Sequence, residues 1–201
     1  MGGQRLAAER VIIVGTTRFS DQICIGAVSS NLWDAYRLVP PGRQFWRPNP
    51  FTLGGIYDIQ FQDAPRTPPH VEDVSVTKWE LRGSVANLKQ EIESHATVFT
   101  GPLEGLFEGK LSIKASNGNL GVAKSNIPSF STQFWRSDRA FSRCDTTWNQ
   151  KTNVRFCAGQ FSIPYVGAET PPPQISSGSI VRWSLARWFN DICWLQISHV
   201  Y

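Results

Sequence analysis

Near the N-terminus four apolar β-formers stand in a row, Val11, Ile12, Ile13 and Val14, and predict a first strand. Residues 15–21 read as a polar loop. A second apolar run covers 23–28, and a shorter one covers 36–39 before Pro40–Pro41–Gly42 stops it. Residues 56–61 alternate as Ile, Tyr, Asp, Ile, Gln, Phe, the period of a strand with one wet face. The proline-rich stretch 64–69 ends any sheet run, and β character returns over 70–79. The period then changes. Val85, Leu88 and Ile92 fall three and four apart and predict a short helix over 85–95. Lys89, Gln90, Glu91 and Glu93 supply its wet side.

Glycines at 101, 105 and 109 mark a second change of regime. They place a domain boundary near residue 105 and divide the chain into 1–105 and 106–201. Beyond it, strands are expected at 111–115, 120–124, 134–135, 180–185 and 192–200. A hairpin is expected over 155–163, turning at Gly159. Strand–helix alternation at regular spacing is missing, which argues against a doubly wound fold. Short strands, frequent turns and one short helix fit an all-β class, built as small barrels or a partly open sandwich.

Composition adds a core and a bias. The 201 residues are 41% hydrophobic, enough apolar material for real cores. The net charge of +4 is too mild for a dedicated non-specific DNA binder. The excess of arginine over lysine, 14 to 6, says more, because eight tryptophans are interleaved with it. A guanidinium binds phosphate bidentately, and an indole face stacks on a base. Three segments carry this chemistry. Thr16, Thr17 and Arg18 offer two hydroxyls and a guanidinium to a phosphate. Trp33, Arg37, Arg43, Trp46 and Arg47 surround the Pro–Pro–Gly turn. Trp135, Arg136, Arg139 and Arg143 repeat the mixture in the second half. The competing reading makes the tryptophans barrel-closing core residues and the arginines a solvated rim.

Other chemistry is poorly served. Cys24, Cys144, Cys157 and Cys193 form no CxxC pair and share no ligand spacing with His70, His95 or His199, so no metal site is expected. Cys24, Cys157 and Cys193 sit in apolar runs and read as reduced core cysteines. Neither a Walker motif nor GxGxxG follows the first strand, and GxSxG is absent. Asp58 with Lys78 is the nearest approach to nuclease-like chemistry. No cofactor is expected. Met1 to Arg10 is polar and no apolar run approaches a membrane span, so a cytoplasmic protein without a signal peptide is the expectation.

The order of several short motifs resembles the bacterial dual OB-containing domain family. The motifs are Thr16–Thr17–Arg18 after the first strand, Cys24–Ile25–Gly26, Tyr36–Arg37–Leu38–Val39–Pro40, and Leu53–Gly54–Gly55–Ile56–Tyr57–Asp58–Ile59. In the second half they are Val154–Arg155–Phe156, Gly159, the 161–163 strand, Val166, the 181–185 strand, Phe189 and the 194–200 strand. The loop reads Thr–Thr–Arg where the family has Asn–Ser–Arg. The family's closing lysine is replaced in the neighbourhood of Gln196. The resemblance implies two tandem OB-like barrels in a prokaryotic nucleic-acid-processing or defence setting. The resulting expectation is a non-catalytic module that binds nucleic acid, with single strands favoured. A protein-interaction or scaffolding subunit and a metal-dependent nuclease-like enzyme are the alternatives.

Overall fold

The computed structural model describes residues 7–42, 44–148 and 150–201. The chain forms two compact units. The first spans Met1–Thr67 and Glu72–Ala96, and the second Pro68–Val71 and Thr97–Tyr201. The division therefore falls between Ala96 and Thr97 rather than at the glycines near 105. The fold is all-β, with one closed five-stranded barrel and one open half-barrel.

In the first unit, β1 (Ala7–Phe19), β2 (Gln22–Ser29), β3 (Ala35–Val39), β4 (Gly55–Asp63) and β5 (Asp73–Ser84) close in the order β1-β2-β3-β5-β4. All contacts are antiparallel except β3 with β5, which run parallel through Arg37–Asp73, Leu38–Val74 and Val39–Ser75. This five-stranded Greek-key order makes the unit OB-like. Period-two alternation sends Val11, Ile13, Ile25, Ala27, Leu38, Ile59 and Val76 inward, all at most 1% exposed. Ile12 and Val14, on the other face of β1, are also buried, which explains the unbroken apolar run. The strand does not stop there. Its pairing with β2 continues through Thr16–Ile25, Thr17–Cys24, Arg18–Ile23 and Phe19–Gln22, so most of the expected loop 15–21 is strand. Only Ser20 and Asp21 turn, with Ser20 at φ 59°.

Among the described residues, the one helix longer than a turn, α1 (Leu88–His95), starts later than the apolar spacing suggested. The Asn87 side chain caps it by accepting a hydrogen bond from the Gln90 amide at 3.1 Å. Val85 instead donates its amide to the Gly54 carbonyl and stays outside the helix.

The second unit is built from short strands. They are β6 (Val98–Thr100), β7 (Ile113–Lys114), β8 (Leu120–Ala123), β9 (Thr132–Arg136), β10 (Phe141–Arg143), β11 (Thr146–Trp148), β12 (Lys151–Asn153), β13 (Arg155–Ala158), β14 (Phe161–Pro164), β15 (Gln174–Ile175), β16 (Ile180–Leu185) and β17 (Ile192–Val200). A six-stranded sheet runs β6-β9-β16-β17-β8-β7, and a four-stranded sheet runs β14-β13-β10-β15. A parallel bridge from Tyr165 to Ile197 links them on one side. Their inner faces enclose an aromatic core of Phe107, Trp135, Phe141, Phe156, Phe161 and Trp183. Cys144 and Cys157 form a disulfide, with their Cα atoms 5.9 Å apart. This corrects the reading of Cys157 as a reduced core thiol. Pairing of Ser142 with Cys157 across β10 and β13 brings the two together, an adjacency that a separation of 13 in sequence does not announce. Cys24 and Cys193 are free.

Candidate nucleic-acid interface

Two of the three arginine–aromatic segments meet at one place on the first barrel. The β1–β2 hairpin carries Arg18 and Phe19 to its tip. The chain leaving β3 returns to that tip through a backbone bridge between Ile23 and Trp46, with amide-to-carbonyl bonds of 3.0 and 2.8 Å. Trp46 is the anchor of this return. It is 6% exposed, its indole Nε1 donates to the Leu38 carbonyl at 2.7 Å, and its ring meets Phe51 and Trp79 edge-on. An indole buried on all sides has no face to offer a base, so Trp46 is corrected from ligand platform to barrel plug.

Anchoring Trp46 sets its neighbours at the surface. Phe45 lies flat against Phe19, with ring centroids 5.1 Å apart and planes 10° from parallel. Phe19 is 62% exposed, unusual for so large an apolar ring. Arg47 is paired with Asp21 in the hairpin turn, and both side chains remain more than half exposed. Arg18 is exposed and makes no ion pair among the described residues. The tip therefore carries an aromatic stack whose Phe19 ring faces solvent, with exposed guanidinium groups on the same hairpin tip at Arg18 and on the returning chain at Arg47. Sequence reading passed over Phe19 and Phe45 in favour of the tryptophans. The available signal was the placement of each phenylalanine within two residues of an arginine, at Arg18–Phe19 and Phe45–Trp46–Arg47.

The remaining first-unit candidates do other things. Thr16 is 2% exposed, and its hydroxyl points into the protein, where it finds no hydrogen-bond partner among the described residues. It is not a phosphate contact. Thr17 is half-buried. Arg37 is 9% exposed and bonds both carboxylate oxygens of Asp73, the residue opposite it in the parallel register. Burial pushes its pKa down, and the nearby Cys24, Asp73 and Glu72 outweigh that and leave it raised. Its Nε and Nη2 are both committed to that carboxylate. Trp33 sits in the β2–β3 turn at φ 59°, half-buried and stacked on His95 at 5.5 Å. Arg43 lies outside the described residues.

In the second unit the arginines are largely occupied. Trp135 is fully buried and donates from Nε1 to the Gly101 carbonyl at 3.0 Å. Like Trp46, it is a core residue and not a stacking platform. Arg139 holds both oxygens of Asp138 at 2.7 and 2.8 Å and lies over the Phe161 ring. Arg143 grips Asp145, and Arg136 reaches the Gly178 carbonyl at 3.3 Å. These partners hold the Asp138 and Asp145 carboxyls below their ordinary pKa. A guanidinium held by one carboxylate through two of its nitrogens, as Arg139 and Arg143 are, contributes little free charge to a phosphate.

Asp58, the one carboxylate considered for nuclease chemistry, faces two arginines rather than Lys78. Arg10 approaches at 2.7 Å and Arg82 at 2.6 Å, and their hydrogen bonds lower its pKa to about 2. Among the described residues, no three His, Cys, Asp or Glu side chains gather to hold a metal. Among the described residues, no helix is long and apolar enough to cross a membrane.

No protein-family model matches the sequence, and no curated protein matches it either. Among solved structures, the chain is similar to the HINa domain of Ifi202 in complex with a 20-bp double-stranded DNA. The identity is 11% and the TM-score 0.32, with 99% of this chain and 97% of that one covered. It is also similar to a murine DNA-binding protein bound to double-stranded DNA, at 10% identity and TM-score 0.32, covering 97% and 96%. These values are low, and the strand order given above is what identifies the first unit as OB-like.

Proposed function

We propose that the first barrel binds nucleic acid at the tip of its β1–β2 hairpin, with single strands favoured, and that it does so without catalysis. The observation that carries this reading is the exposed Phe19 ring stacked on half-buried Phe45, at a tip that also carries the exposed Arg18 and Arg47. Unpaired bases offer free π-faces to such a stack, whereas the bases of a duplex are already stacked on one another. Arg18 is ready to meet a phosphate, and Arg47 can exchange its exposed Asp21 partner for one at little cost. The β1–β2 loop is also one of the two loops through which OB folds contact oligonucleotides. A prokaryotic nucleic-acid-processing or defence setting rests on the motif resemblance alone.

Fluorescence anisotropy with labelled single-stranded DNA, single-stranded RNA and duplex DNA at two salt concentrations tests the reading. Phe19→Ala should cost about 1–3 kcal/mol on the single strands. Arg18→Ala should weaken binding and reduce the slope of log affinity against log salt by about 1. Absence of binding at low salt, or binding indifferent to both substitutions, overturns it.

A further inference from the structure

The second unit carries a hairpin tip built like that of the first. In the first unit Phe19 and Gln22 pair around the two-residue turn Ser20–Asp21. In the second, Phe189 and Ile192 pair around Asn190–Asp191, exchanging amide-to-carbonyl bonds of 3.0 and 3.1 Å. Both turns use left-handed backbone, with Ser20 at φ 59° and Asn190 and Asp191 at φ 49° and 60°. Each is preceded by an exposed phenylalanine, 62% at Phe19 and 66% at Phe189. Each ends in an aspartate held by a cation from a neighbouring segment. Trp46 bridges to Ile23, and the next residue, Arg47, pairs with Asp21. Ala123 of β8 pairs with Ile192, and the next residue, Lys124, reaches Asp191 at 3.0 Å.

One exposed ring on a turn is ordinary. Its recurrence in two separate units, each time with a turn aspartate and an exposed cation on that aspartate, calls for a common ligand chemistry. We infer that the Phe189 tip is a second contact for single-stranded nucleic acid, an inference that rests on the reading of the Phe19 tip. Phe189 offers a π-face to an unpaired base. The Lys124 and Asp191 side chains remain 65% and 75% exposed, so a phosphate can replace the carboxylate at little cost. The Trp188 indole donates to the Pro68 carbonyl at 2.8 Å and fixes the chain that presents the ring. Arg187 is half-buried, so this tip relies on Lys124, whereas the first has both Arg18 and Arg47 exposed. The second tip is therefore the weaker of the two.

Anisotropy with a labelled oligothymidylate of about eight nucleotides, at low salt, separates the two tips. In a Phe19→Ala background, Phe189→Ala and Phe189→Leu should each weaken the remaining binding by about tenfold, and Phe189→Tyr should leave it unchanged. Leucine keeps apolar bulk without a π-face, so that contrast separates stacking from plain apolar contact. Asp191→Asn suits the left-handed turn and releases Lys124, and should strengthen binding about threefold, a gain that misfolding cannot produce. Binding abolished by Phe19→Ala alone overturns the inference and leaves the Phe19 tip standing. So does remaining binding that is indifferent to Phe189→Ala, tolerant of Phe189→Leu or unmoved by Asp191→Asn. Binding lost through Phe189→Ala but untouched by Phe19→Ala overturns the reading of the first tip and supports the second. No binding of the wild-type chain overturns both.

Discussion

Arginine at position 37 and arginine at position 18 look alike in sequence and have opposite fates. Both stand among aromatics on a β-strand, yet Arg37 is sequestered by Asp73 while Arg18 stays free at a hairpin tip. The difference is a tertiary one, because Asp73 is 36 residues away and arrives only through the parallel β3–β5 contact. A buried pair of this kind is costly to break from one side, since the other charge stays desolvated. Arg37→Ala is therefore expected to destabilise the first unit by roughly 3 kcal/mol, read as a lower denaturant midpoint. Arg18→Ala is expected to leave that midpoint unchanged. The tryptophans divide in the same way. Trp46, Trp135 and Trp183 are core residues, because an indole buries more apolar area than any other side chain and two small cores need it. The smaller phenylalanines were left to form the exposed stack.

Hydropathy located most elements and misjudged their ends wherever polar residues carried the strand. Strands β2, β4, β16 and β17 and the β13–β14 hairpin stand close to where apolar spacing placed them. The β1–β2 hairpin ran five residues past its apolar run, from Gly15 to Phe19, because the backbone ladder continued after the inward side chains ceased to be hydrophobic. β11 and β12 were not predicted at all. They are short, polar and enclosed between Cys144 and Cys157. The disulfide closing that segment limits the unfolded chain. Cys144→Ser with Cys157→Ser should lower stability by about 3 kcal/mol, as should reduction of the wild-type protein, both measured by denaturant titration. Mass spectrometry after alkylation, with and without reductant, should show two protected cysteines.

At the scale of the whole molecule, stability should depend on pH through the second unit. Burial, followed by the Arg182 charge, lowers the His199 pKa from 6.5 to about 4. Between those values the unfolded chain takes up a proton that the folded chain refuses. The contribution is therefore complete above pH 6.5 and is lost as pH falls toward 4, amounting to about 3 kcal/mol. His199→Gln should remove that part of the slope in unfolding titrations between pH 7 and pH 4. The all-β class, the short helix ending at His95 and an arginine–aromatic character were legible in the sequence, because hydrophobic period and residue chemistry are local properties. Tertiary structure decided which side chains of the 16–18 and 37–47 segments face water. It buried Thr16, Arg37 and Trp46, brought Phe19 against Phe45, and paired Cys144 with Cys157. Each of those outcomes depends on which strands lie side by side, and closing a barrel settles that through contacts between residues far apart in the chain.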